Sequence, residues 1–484
     1  MTALPDIRPF EISINTPQEE INRLYSVQQS NRFTAARTSV QERKTKIKIF
    51  KQEIIAHQQE FRDALFKDYF KPAVEVDLAE ILVLLNEINY TLKKLDTWVA
   101  KHRVGTPWFL FGANSYVHYE AKGHVLVISP WNYPIHLTLM PLLHSYAAGN
   151  VTLIKPSEFT PYTTAVVKKV IEKVFRPEEA CVVEGDAEVS KYITTLRFDH
   201  IFFTGSPQIG KLVMKAAAVH LSSVTLELGG KSPMIIDDTC DLDLAASFAS
   251  SNKLLNSGQY CVAPDIIFVH ENRKRLFIEK LISQFKTRAG SDLQALASGD
   301  YCQIINLRQA NRIKGLLEDA ISKGAKVEYR SGEDDDTLIG PVILSNTNNT
   351  MTIDQDEIFG PICNIKSYHK IDEVIEYINA GEKPLSLFLF SRDLNTKKRV
   401  RNETSSGNMC INTTQIHYFN YNLPFGGVNH SGMGKSHGFY SFKEFSNAKA
   451  VINQWMPWPS TLLFFPPFDA RTKRIAEILL RFFK

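Results

Sequence analysis

The sequence predicts an α/β chain built from two doubly wound units. Three observations carry this. Short apolar runs rich in Val and Ile recur along the chain. Stretches with helical spacing separate them. The alternation occurs twice, from about Tyr116 and again from near Gly230. Strands alternating with helices predict a parallel sheet covered on both faces.

In chain order, residues 17–101 read as helices. Leu78, Ile81, Leu82, Leu85 and Ile88 recur at helical spacing, which predicts one buried face. The basic stretch 44–51 reads as the solvated side of a helix. From Tyr116 the pattern changes, and 124–128 is a β-branched run that predicts a strand. Ser129-Pro130-Trp131-Asn132-Tyr133-Pro134 breaks it, and a helical run follows to Ala148. Residues 151–154, 180–184 and 200–203 read as strands, with a helix over 163–174. In the second region the strands are 234–236, 266–269, 326–329, 363–367 and 385–390. Helices over 273–285, 307–323 and 371–380 separate them. The acidic run Glu333-Asp334-Asp335-Asp336 reads as a surface loop.

Composition narrows the function classes. The chain has 484 residues, 44% of them hydrophobic and 22% charged, enough for two or three domains with large cores. A formal charge of +4 is small for this length. Nucleic-acid binding would need clustered basic residues as well. The cysteines are Cys181, Cys240, Cys261, Cys302, Cys363 and Cys410, with no CxxC pair and no zinc-ligand spacing among Cys and His. Residues 1–16 lack the pattern of a signal peptide, and no apolar run is long enough to span a membrane. The reading is a soluble protein of a reducing compartment, the cytoplasm.

Five stretches could carry chemistry. Asn256-Ser257-Gly258-Gln259-Tyr260-Cys261 joins a helix to a strand, where a thiol can project into a cleft and Gly258 can take an unusual backbone angle. Taken alone, Cys261 is more often a small buried hydrophobe. Phe203-Thr204-Gly205-Ser206, running on to Gly210, ends a strand and opens a helix, a place that favours phosphate, though it is not the G-x-G-x-x-G fingerprint. Lys155-Pro156-Ser157-Glu158 ends another strand and could bind ribose hydroxyls or simply form a surface ion pair. Glu227 lies inside the apolar run Leu226-Glu227-Leu228-Gly229-Gly230-Lys231. It is either a buried base with a raised pKa or an edge residue facing solvent. Glu357-Ile358-Phe359-Gly360-Pro361 could present a carboxylate and a ring to a ligand, or be a plain loop.

Together with Pro130-Trp131-Asn132 and Pro424-Phe425-Gly426-Gly427, these motifs in this order resemble the NAD(P)-dependent aldehyde dehydrogenase superfamily. The resemblance runs from about Ile21 to Val451, and the Cys-Val-Ala-Pro-Asp context resembles the class 3 and fatty aldehyde dehydrogenase branch. It implies a cofactor-binding domain over 1–229, with oligomerisation strands near 115–123, and a catalytic domain over 230–415. A closing and oligomerisation segment over 416–450 and a tail over 451–484 complete the chain. It implies Cys261 as the nucleophile, Asn132 as an oxyanion donor and Glu227 as the base that activates water against a thioester. It implies that Lys155 and Glu158 contact the adenosine ribose, with Gly205, Ser206 and Gly210 at the pyrophosphate turn. Glu357 would hold the nicotinamide ribose, with Phe359 alongside. The resemblance implies NAD or NADP as the cofactor and no metal; a Glu at the ribose favours NAD, while the branch often accepts both. The substrate is a medium- or long-chain aliphatic or an aromatic aldehyde, and a homodimer is expected. Transfer of the thioester to coenzyme A is the alternative activity, and Glu227 argues against it. A retired scaffold is the other alternative, against which the intact Asn132, Glu227 and Cys261 stand.

Two departures from the family pattern bear on the site. Pro207 lacks an N–H, so one phosphate contact is expected to be lost. Tyr260 is a large residue before the nucleophile and is expected to narrow or reshape the substrate funnel. In the tail, Ile475, Ile478, Leu479 and Phe482 share one face, with basic residues around them. This helix packs on its own subunit or a partner, or else makes a weak membrane-surface contact or a lid over a long-chain aldehyde.

Overall fold

The computed structural model describes residues 14–290, 299–332, 335–456 and 465–481. Part of the acidic run, residues 457–464 of the tail and Phe482 lie outside these residues. The chain opens with helices Gln18–Ala36, Val40–Ala56 and Gln58–Tyr69. Ser39 starts the second of them with a reciprocal capping box to Glu42. Sixteen strands follow among the described residues. They are β1 (His102–Val104), β2 (Ala113–Ala121), β3 (His124–Ile128), β4 (Val151–Lys155), β5 (Ala180–Val182), β6 (His200–Gly205), β7 (Ser223–Leu228) and β8 (Pro233–Ile236). Then come β9 (Ile266–His270), β10 (Lys326–Arg330), β11 (Val342–Ser345), β12 (Ile362–Tyr368), β13 (Ser386–Phe390), β14 (Asn408–Ile411), β15 (Gly432–Met433) and β16 (Ser446–Gln454).

These strands make three sheets. The first runs β15-β7-β6-β3-β4-β5 and is parallel except for β15, which pairs antiparallel with β7. The second runs β10-β11-β12-β9-β8-β13-β14 and is parallel except for β10. Every residue of β3, β4, β8 and β13 is buried, as strands covered by helices on both faces require. The third sheet, β1-β2-β16, is antiparallel, and β16 faces β2 along its whole length. This α/β architecture is the predicted one. The short β11, β14 and β15 and the polar β16 were not foreseen. Ser-Asn-Ala-Lys-Ala-Val-Ile-Asn-Gln carries little apolar signal because most of β16 is exposed.

The face predicted from Leu78 to Ile88 needs correcting. Ile81 and Ile88 are buried, but Leu78 and Leu82 are 57% and 46% exposed. A π-helical turn at Asp77–Ile81 adds a residue to the winding just before helix Leu82–Val99. The extra residue rotates the following positions, so Glu80 and Leu84 turn inward and the two leucines turn out. Helix Ala470–Arg481 has no buried residue; Ile475 and Leu479 are half-buried and Ile478 is exposed. Among the described residues no helix is long and apolar enough to cross a membrane.

Candidate active site

Ligands of open α/β sheets gather at the carboxyl ends of the strands. Asn132, Lys155, Gly205 and Glu227 all lie at or just past the ends of β3, β4, β6 and β7. The first sheet therefore brings four separate motifs to one rim. The second sheet supplies the other wall through the loop before β9, which carries Cys261, and the loop before β12, which carries Glu357.

The Cys261 loop is held in an unusual shape. Helix Leu242–Leu254 gives way to residues with positive φ: Asn256 at 49°, Ser257 at 51° and Gly258 at 70°. Only glycine fits at 258, because a Cβ there would overlap the Gly360 carbonyl. The Cys261 loop and the Glu357 loop thus touch backbone to backbone. Cys261 remains partly accessible, while its neighbours on both sides are buried. Burial pushes its thiol above the ordinary cysteine range, and the Glu357 and Glu227 carboxylates push it further. The backbone N–H groups of Cys261 and Val262 act in the opposite direction, so they lie against the sulfur. Tyr260 does not protrude as expected. Its ring lies in the core and its hydroxyl is fastened to Asn252, 2.9 Å from the carbonyl and 2.8 Å from Oδ1.

Glu227 sits within β7, opposite Gly432 of β15, so it is not on an open edge. It is 7% exposed, and neither carboxylate oxygen takes a hydrogen bond of good geometry. Burial raises its pKa to about 8, with Ser436 and Lys435 pulling the other way. Gly426 leaves room for it, since a Cβ there would lie 3.1 Å from Oε1. A buried carboxylate without partners and with a raised pKa is suited to accept a proton from water.

Asn132 is buried and its Nδ2 donates to the Gln259 carbonyl at 3.1 Å, which ties it to the Cys261 loop. Glu357 packs on Gly229, where any Cβ would overlap its carboxylate. Its pKa is about 8, raised by burial and by Asp265. Phe359, at φ 46°, meets Trp131 edge to face with centroids 5.4 Å apart. Residues the sequence reading did not single out hold this loop. Arg312 donates to the carbonyls of Glu357 and Ile358 at 3.1 and 2.7 Å. Lys231 pairs with Asp265 and donates to the Asp356 carbonyl, and Asp265 accepts the Ile358 N–H at 2.7 Å. Lys231 and Asp265 stood inside the quoted motifs, but spacing alone gave no sign that they meet.

At the other end of the rim, Lys155 is 2% exposed and donates to Glu158 at 2.9 Å. Helix Pro207–His220 begins at Ser206, whose Oγ accepts the Ile209 N–H at 3.4 Å. Pro207 occupies the first helical position, which proline favours because that N–H has no partner within the helix anyway. A Cβ on Gly205 would strike the Phe203 ring, and one on Gly210 would strike Leu228. Both glycines therefore let the strand–helix turn close tightly.

With this arrangement in view, the comparisons with known proteins decide the family. Residues 14–451 match the aldehyde dehydrogenase family. The chain belongs to the aldehyde dehydrogenase family. It is 36% identical over 452 residues to aldehyde dehydrogenase family 3 member A2 of Rattus norvegicus, covering 93% of this chain and 91% of that one. It is 37% identical over 422 residues to the dimeric NADP-preferring aldehyde dehydrogenase of Canis lupus familiaris, covering 87% and 92%. The solved substrate-bound AldH of Staphylococcus aureus superposes with a TM-score of 0.90 at 38% identity, over 95% of this chain and 99% of that one. The class 3 resemblance read from the motifs stands. The protein is an NAD(P)-dependent oxidoreductase acting on aldehydes.

Proposed function

We propose that this aldehyde dehydrogenase converts a medium- or long-chain aliphatic or aromatic aldehyde to its carboxylic acid through a thioester on Cys261. The carrying observation is the buried, unpartnered Glu227 carboxylate beside a partly accessible Cys261. Cys261 attacks the carbonyl carbon as its thiol proton passes to the neighbouring Glu227 carboxylate and from there to solvent. The new oxyanion is held by the Asn132 side-chain amide and the Cys261 N–H, donors each worth about 3 kcal/mol in such sites. A nicotinamide held at this rim would supply the hydride acceptor that the oxidation to the thioester needs. Glu227 then takes a proton from water as the water adds to the thioester, and Cys261 leaves as the thiolate. Asn132 keeps the second oxyanion in the same place.

The rim fits the cofactor. Lys155 and Glu158 suit the adenosine ribose hydroxyls. The tight turn of Gly205, Ser206 and Gly210 opens a helix N-terminus toward the pyrophosphate. Glu357 and Phe359 suit the nicotinamide ribose. Glu158 near the adenosine ribose disfavours a 2′-phosphate, which supports NAD, while the canine relative is NADP-preferring by name. The exposed β16 edge and the dimeric relative support a homodimer through the β1-β2-β16 arm. We assign the cytoplasm on the same reading; helix Ala470–Arg481, with Ile478 and Leu480 exposed, packs on its own subunit or a partner, or else serves as a lid or a weak membrane-surface contact.

Absorbance of the reduced nicotinamide tests the chemistry, with hexanal, a long-chain aldehyde and benzaldehyde, NAD or NADP, and with and without coenzyme A. Turnover independent of coenzyme A, lost in Cys261→Ala and cut to one burst in Glu227→Gln, is expected. Turnover only with coenzyme A would assign the acylating reaction instead. Flotation of full-length and tail-deleted protein with vesicles tests the tail; equal failure to float rejects the membrane contact.

A further inference from the structure

Behind Asn132 lies a buried ion pair that none of these roles uses. Lys71 and Glu80 have no accessible side-chain surface, and Lys71 Nζ lies 2.7 Å from Glu80 Oε1. Such a pair is a poor way to stabilise a core, because desolvating both charges offsets most of their attraction. Its second set of contacts explains its presence better. Glu80 Oε2 accepts the Ile135 N–H at 2.8 Å. Lys71 donates to the Asn132 carbonyl at 3.4 Å and lies over the Tyr133 ring, 3.9 Å from its centroid. The pair therefore grips both ends of segment 132–135, the turn between β3 and helix His136–Ala148.

The Asn132 carbonyl is held more firmly still. It also accepts Tyr69 OH at 2.8 Å and Asn256 Nδ2 at 3.1 Å. Three donors on one carbonyl fix the rotation of its peptide plane. Asn256 donates as well to the Gln259 carbonyl at 3.0 Å, the same oxygen that accepts Asn132 Nδ2. Main chain and side chain of Asn132 are thus both referenced to the loop that carries Cys261. The π turn at Asp77–Ile81 is what swings Glu80 into reach, and such turns recur at functional sites. His136 and Glu75 also face the pair: His136 Nδ1 lies 3.8 Å from Glu80 Oε2 and its Nε2 2.8 Å from Tyr418 OH, and the Glu75 carboxyl is close enough to interact with both Lys71 and Glu80.

We propose that the Lys71–Glu80 pair is a positioning device that sets the aim of the Asn132 side-chain amide. It touches neither substrate nor sulfur and acts only through Asn132, so it rests on the oxyanion role given to Asn132 above. A first-turnover cycle on the full-length enzyme tests it, using Glu80→Gln, Asn132→Ala and the double variant. Glu80→Gln is expected to slow hydride formation by about tenfold to a hundredfold, with the aldehyde KM little changed. In the Asn132→Ala background the same substitution is expected to change the rate by less than about twofold. An equal loss in both backgrounds overturns the proposal, as does no loss for Glu80→Gln in the wild type. No loss for Asn132→Ala alone overturns the oxyanion reading itself. If Glu80→Gln does not fold, Tyr69→Phe removes one donor without changing charge. Its smaller loss must likewise vanish without the Asn132 amide, and an equal loss in both backgrounds refutes the device.

Discussion

Replacing Glu227 by Gln keeps the shape of the side chain and deletes the buried charge. Its effect on stability can be worked out from the site. The carboxyl pKa is raised from 4.5 to about 8 in the folded protein, chiefly by burial. Between these values the native state holds a proton that the unfolded chain has released. Native-state stability therefore falls as pH rises from about 4.5 to about 8 and levels off above. At about 1.4 kcal/mol per unit, the full penalty is at most about 5 kcal/mol. Gln cannot ionise, so the variant escapes that slope. Glu357 has a similarly raised pKa and adds its own slope to both proteins, which makes the difference between them the informative quantity. Urea unfolding of both proteins without cofactor, at about pH 5 and about pH 9, is the assay. The variant should gain at least about 2 kcal/mol on the wild type between the two conditions. Parallel curves would mean that Glu227 meets water or a partner in solution, and the argument for it as a base with a raised pKa would collapse. The same variant must lose thioester hydrolysis, so a more stable protein that stalls after one turnover is the joint expectation.

Three further outcomes follow from the geometry. Alkylation of Cys261 by iodoacetamide, in the absence of cofactor, should climb with pH through about pH 9 without a plateau, because burial and two carboxylates hold the thiol protonated; a plateau near neutrality would contradict this. Glu357→Gln should remove a pH dependence of cofactor affinity. Wild-type binding, followed by titration of nicotinamide fluorescence, should tighten as pH rises through about 8 and the carboxylate proposed to hold the ribose forms. Gly258→Ala should destabilise the protein by more than about 1–2 kcal/mol, combining a left-handed backbone at φ 70° with a Cβ pressed on the Gly360 carbonyl. A thermal midpoint equal to wild type would show that the two loops do not touch.

Much of the fold was legible because buried parallel strands are nearly continuous apolar runs. Residues 124–128 and 266–269 announce themselves without help from context. Strand β16 does not, since its stability comes from pairing with β2 and not from burial. Leu78 and Leu82 misled because a helix was assumed to keep one winding, and the π turn broke the phase. At the site, Cys261, Glu227 and Glu357 could be picked out as residue types in unusual company, and the structure brings them close enough for the two carboxylates to act on the thiol. The residues that hold Asn132 and the Glu357 loop could not be picked out. Tyr69, Lys71, Glu80 and Arg312 act through contacts with residues far along the chain, and a lysine and a glutamate nine positions apart look like any solvated pair until both prove to be buried.

The short strand β15 carries a consequence for how the chain is made. It closes the first sheet over β7 with residues that leave the ribosome long after β3 to β7 have emerged. Until then β7 is a raw sheet edge, with Glu227 on it and with apolar neighbours able to pair with another nascent chain. The catalytic chamber is thus finished last, and a prematurely ended polypeptide would combine an inert site with an adhesive edge. Quality control that disposes of such fragments would be guarding against aggregation more than against stray chemistry.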